Sequence, residues 1–126
     1  MPLVRIDLQA GQSPAYRRGI ADVVYHALVE VLGAPQHDQF EIITEHDGAN
    51  LIVDPQYLGI PRTDRAVIIQ ITLSEGRTVE AKQAFYTAVA DGLHEHVGMR
   101  REDVIINLVE VKKENWSFGN GEAPYV

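Results

Sequence analysis

Pro2 is the first residue able to carry unusual chemistry. Removal of Met1 would leave Pro2 with a secondary amine at the head of an apolar stretch, Leu3-Val4-Arg5-Ile6-Asp7-Leu8. A strand end buried by its neighbours would desolvate that amine, which disfavours the charged form and draws its pKa toward working pH. A group poised there can accept a proton and return it. Proline is also tolerated at the first residue of a strand for purely structural reasons, so the rest of the chain must separate the two readings. Arg77 is the second candidate. It falls in a loop just before an expected helix, where a guanidinium beside exposed backbone N–H groups would attract a carboxylate. Asp38 is the third, placed just ahead of an expected strand.

These residues have to be positioned by a small scaffold. The chain has 126 residues, near the commonest domain size, and is long enough to bury a core without disulfide or metal staples. It contains no Cys, which excludes thiol catalysis and thiolate metal sites and fits a reducing, cytoplasmic location. The formal net charge of -7 argues against a nucleic-acid footprint. A small anionic substrate would therefore depend on a local cation. The opening residues do not read as an export leader. The longest apolar run, Val23 to Leu32, is interrupted by His26 and Glu30 and is too short to span a bilayer.

The chain repeats itself. Displaced by 65 positions, Gly11 falls on Gly76, Ser13 on Thr78, Gly33 on Gly98, Asp38 on Asp103 and Glu45 on Glu110. Val4, Ile6 and Leu8 fall on Ile69, Ile71 and Leu73, alternating as strands do. Ile20, Val23, Val24, Ala27, Leu28, Val31 and Leu32 recur at the spacing of an amphipathic helix. Ser13 and Thr78 are N-cap types, Pro14 suits a first helical turn, and Gly33 and Gly98 stand where left-handed C-caps belong.

Each half predicts strand, helix, strand, with second strands at Phe40 to Glu45 and Val104 to Val111. Such a unit is a right-handed crossover between parallel strands. Two in tandem give an α/β (α+β) fold, a four-stranded sheet with both helices on one face. Pseudo-repeats 2–46 and 67–111 are then joined by a linker, 47–66, and followed by a tail, 112–126, in a single domain spanning 1–126. The last strand is apolar on both sides, so the helix-free face should be buried in a closed oligomer.

Differences between the copies mark candidates for function. Pro2 falls on Val67, so the strand does not need proline. Arg77 falls on Gln12, so the cation is present once. Asp38 has a twin in Asp103, which by itself suggests a turn or strand-entry role. The histidines offer no metal site: His94 and His96, two apart, point to different helix faces. The tail brings Trp116, Phe118 and Tyr125, either as edge packing or as the apolar wall of a small pocket.

The duplicated strand-helix-strand headed by Pro after Met resembles the tautomerase superfamily, and in particular malonate semialdehyde decarboxylase and its relatives. The resemblance covers nearly the whole chain. It rests on Pro2-Leu3, Asp38, the linker Leu58-Gly59-Ile60-Pro61-Arg62, Arg77, and the tail Trp116-Ser117-Phe118-Gly119. It implies a homotrimer whose sheets enclose a central barrel, and a cofactor-independent enzyme. Pro2 would be the catalytic amine, Arg77 the holder of a substrate carboxylate, and Asp38 the residue orienting water or a substrate polar group. Trp116, Phe118 and Tyr125 would line an apolar wall. The resemblance also implies a second Arg two residues before Arg77, where this chain has Glu75.

The expected activity is keto-enol tautomerisation of small 2-oxo acids. The alternatives are a decarboxylase or hydratase activity on 3-oxo acids, as in malonate semialdehyde decarboxylase, and a non-catalytic oligomeric relative. No metal, nucleic acid or membrane is expected to take part.

Overall fold

The structure is a computed structural model that describes residues 2–126. Whether Met1 is removed lies outside the described residues. Strand β1 (Leu3–Gln9) leads into helix α1 (Pro14–Leu32) and strand β2 (Glu41–His46); strand β3 (Val67–Ser74), helix α2 (Val79–Val97) and strand β4 (Val104–Val111) follow. The expected β2 is displaced by one residue, because Phe40 contributes only its carbonyl, which accepts from Val4 N at 2.9 Å.

Local chemistry sets the helix ends. Ser13 Oγ accepts from Tyr16 N and Thr78 Oγ1 from Ala81 N, each at 3.1 Å, satisfying N–H groups that the helix cannot pair itself. Gly33 and Gly98 close the helices at φ 72° and 71°, a left-handed conformation that costs glycine nothing.

The sheet runs β2-β1-β3-β4. Each repeat supplies a parallel pair, β1/β2 and β3/β4, and the copies join through the antiparallel pair β1/β3, with Leu3 opposite Thr72 and Asp7 opposite Ile68. Val4, Ile6, Leu8, Ile69, Ile71 and Leu73 point to one face and meet Ile20, Val24 and Leu28 of α1 and Phe85, Val89 and Leu93 of α2. Each fully buried aliphatic or aromatic chain there contributes about 1.5–3 kcal/mol. The other face carries no helix. It mixes Ile42, Ile68, Ile105 and Val109 with Arg5, Asp7, Gln70 and Asn107. It is therefore less apolar than the sequence of β4 suggested. His46 closes β2 and pairs with Asp7 on this face at 2.6 Å.

The linker is ordered by a buried acid. The Asp103 carboxylate, 1% exposed, accepts from Thr63 N and from Thr63 Oγ1, both at 2.7 Å. Tight turns at Gly48–Asn50 and Tyr57–Gly59 fold the rest of the segment.

Candidate active site

Antiparallel pairing of β1 with β3 brings the head of one strand to the end of the other. Pro2 is buried one residue before Leu3, and Leu3 pairs with Thr72, two residues before the buried Ser74 that ends β3. The Val4 N–H···O bond to Phe40 lays the segment from Asp38 to Phe40 alongside the same corner.

Ser74 holds two candidate residues at once. Its Oγ accepts from the Trp116 Nε1–H at 3.1 Å, and its carbonyl accepts from Arg77 Nη1 at 2.8 Å. Arg77 Nε and Nη2 both reach the carbonyl of Leu32, at 3.3 and 3.2 Å. Leu32 is the last residue of α1, so this carbonyl is one that the helix leaves unpaired and at its negative end. The sequence placed Arg77 at the start of α2; the structure turns its guanidinium back onto the end of α1. A neutral carbonyl there satisfies donors without cancelling charge. Three of the five guanidinium N–H groups are used, leaving one on each Nη among the described residues.

The tail closes the corner with rings. Trp116 is buried and stacks on Phe118, centroids 5.2 Å apart at 14°. Phe118 also meets Tyr125 edge-on at 5.8 Å and Phe40 at 5.9 Å. Phe40, Phe118 and Tyr125 remain partly exposed. Burial, then the nearby Asp38 carboxylate, push the Tyr125 hydroxyl above its ordinary pKa, which ties Asp38 to the same ring cluster. Asp38 is itself buried, and burial raises its carboxyl above the usual carboxylate range.

Asp38 does not repeat the work of its twin. Asp103 is locked to Thr63 in the linker ahead of the second copy. Asp38 instead lies close enough to the tail for its carboxylate to raise the Tyr125 hydroxyl. Pro2, Asp38, Arg77, Trp116, Phe118 and Tyr125 therefore gather at one end of the sheet. Two residues of this corner were missed by sequence reasoning, Ser74 and Phe40. Ser74 falls on Gln9 in the repeat, so the difference that singled out Arg77 was available for it as well. Phe40 is signalled by nothing local.

A duplicated β-α-β unit in a four-stranded sheet defines a class of protein, and comparison with known proteins agrees on the family. Two family profiles described as tautomerase enzyme match residues 38–119 and 2–60. The chain is 36% identical over 126 residues to the probable tautomerase YusQ of Bacillus subtilis (strain 168), covering 100% of this chain and 99% of that protein. This chain belongs to the tautomerase superfamily.

Within the superfamily it falls in the malonate semialdehyde decarboxylase-like group. The crystal structure of FG41 malonate semialdehyde decarboxylase inhibited by 3-bromopropiolate superposes with a TM-score of 0.92 at 42% identity, covering 98% of this chain and 93% of that one. A fused 4-OT in its symmetric trimer superposes with a TM-score of 0.78 at 26% identity, covering 95% and 94%.

Proposed function

We propose that this chain is a cofactor-independent tautomerase that uses the amine of Pro2, freed by loss of Met1, on small 2-oxo acids and their enols. The observation that supports this best is the buried Pro2 sharing one corner with the tethered guanidinium of Arg77. With Met1 attached, the Pro2 nitrogen is an amide and cannot act as a base.

In the mature form, the neutral amine takes the enol O–H proton, and the resulting secondary ammonium delivers a proton to the adjacent carbon. The product is the 2-oxo acid, with no net gain or loss of atoms. Arg77 offers its two remaining N–H groups to the carboxylate, and its charge stabilises the enolate formed between the two proton transfers. Trp116, Phe118 and Tyr125 keep water from the amine. Asp38 orients a substrate hydroxyl or a water.

Similarity to FG41 malonate semialdehyde decarboxylase favours a second reading, decarboxylation or hydration of a 3-oxo acid, in which a protonated Pro2 polarises the carbonyl. We assign the chain a homotrimer like that of the fused 4-OT, which would cover the helix-free sheet face.

The test uses full-length protein with its N-terminus established by intact mass. Protein lacking Met1 is expected to ketonise phenylpyruvate enol, and Pro2→Ala and Arg77→Ala to lose most of that rate. The assay is repeated with malonate semialdehyde, where faster turnover would move the assignment to the second reading. Turnover of neither substrate by protein with a proven free Pro2, or retention of Met1 in the native cell, would overturn an enzymatic role.

A further inference from the structure

The duplication builds a second corner. Because β1 and β3 are antiparallel, the head of β3 lies at the opposite end of the sheet from Pro2. There Val67 stands for Pro2, Gln12 for Arg77, Gln9 for Ser74 and Leu51 for Trp116. The equivalent join survives in different atoms: Gln9 Nε2 donates to the carbonyl of Leu51 at 3.2 Å, where Trp116 donates to Ser74.

This corner holds a half-open cleft of about 250 Å³. Leu8, Val67 and Met99, all buried, form its apolar floor. Its rim carries Gln12, Tyr16 and Arg65, with Asp64 on the same side. The cation missing at Gln12 is restored from another part of the chain. Arg65 Nη2 donates to Gln12 Oε1 at 2.9 Å, and the guanidinium lies 5.6 Å from the centre of the Tyr16 ring. Arg65 thus meets a neutral amide and an aromatic face and keeps its charge available, as Arg77 does against two carbonyls.

Both partners are held in place. Arg17 Nη1 grips the Gln12 carbonyl at 2.6 Å. Arg65 N donates to Thr63 Oγ1, which is fixed to the buried Asp103. A preorganised guanidinium at the mouth of a mainly polar cleft with a small apolar floor is an arrangement that takes a carboxylate with a short carbon tail.

We propose that this second corner is a binding site for a short-chain carboxylate, held by Arg65 and the Gln12 amide above Val67 and Met99. The ligand stays unreacted because Val67 supplies no amine. Asp64 opposes the ligand charge and keeps the site weak. The first corner contributes nothing to this geometry, so the inference stands apart from the activity proposed above.

The chain gives a clean probe. Its only methionines are Met1 and Met99, so ¹³C-methyl labelling of the mature, full-length protein reports Met99 as a single methionine signal. Butanoate is titrated against sodium chloride at matched ionic strength. The expected result is a saturable shift of the Met99 methyl. Arg65→Gln should weaken binding about ten- to a hundredfold, the loss of one charge-assisted contact. Gln12→Glu, which sets an anion at the rim, should weaken it as well, and serves where Arg65→Gln fails to fold. Arg77→Ala should leave the Met99 titration unchanged. A shift that does not saturate, one reproduced by chloride, or one equal in wild type and a folded Arg65 or Gln12 variant would overturn the proposal. Because no turnover is read, an inactive Pro2 would leave this result intact.

Discussion

Glu41, at the start of β2, gives the sharpest pH prediction. Its carboxyl is pushed up from 4.5 to about 7, chiefly by burial; the Gln39 amide opposes the shift, while Asp22 adds to it and Arg18 subtracts. One oxygen, Oε2, accepts from Gln39 Nε2 at 2.7 Å, and Oε1 is buried without a hydrogen-bond partner among the described residues. A carboxyl with a raised folded-state pKa binds its proton more tightly in the folded chain. Its contribution is therefore fully present below about pH 4.5 and lost as pH rises to about 7. At roughly 1.4 kcal/mol per pH unit, that interval amounts to about 3 kcal/mol; the part of Glu41 still open to water brings it to about 2 kcal/mol. Glu41→Gln keeps the shape and removes the titration. Urea unfolding of wild type and Glu41→Gln at pH 5 and pH 8, at one fixed protein concentration, isolates this residue from Asp38 and Tyr125, which both proteins share. The variant should gain about 2 kcal/mol on the wild type between the two pH values. A stability difference identical at pH 5 and pH 8 would refute the assignment of Glu41 as a strained, buried acid.

Two further outcomes test the scaffold. Asp103→Ala strands the Thr63 donors and should cost about 3 kcal/mol in unfolding free energy, with faster amide exchange across residues 47–66; unchanged exchange there would show that Asp103 does not order the linker. In Gly92→Ala the new Cβ would sit 2.8 Å from Val23 Cγ1 where the helices cross. Overpacking of about 1–3 kcal/mol should outweigh the roughly 1 kcal/mol gained in helix propensity, Val23→Ala should relieve it, and a stabilised Gly92→Ala would contradict so close a crossing.

The elements were legible because their causes are local. The alternation at Val4, Ile6 and Leu8, the caps Ser13 and Thr78 and the left-handed Gly33 and Gly98 are each written within a few residues, and the repeat writes them twice. The candidate site was only half legible. Pro2 and Arg77 declared themselves as differences between copies, and the tail aromatics by their types. The direction of the Arg77 side chain did not, because its acceptor, the Leu32 carbonyl, is 45 residues away and is available only where α1 ends beside the loop.

By itself, then, the sequence determined two copies of a strand-helix-strand unit, their caps, the face each strand buries, and which residues occur only once. Tertiary structure decided how those units meet. The antiparallel β1/β3 junction places the head of β1 at the end of β3 and the head of β3 at the end of β1, so one duplication yields two corners of different chemistry. That junction rests on backbone hydrogen bonds between strands about 65 residues apart, a pairing whose loop-closure cost is met by the whole core and is written in no local pattern.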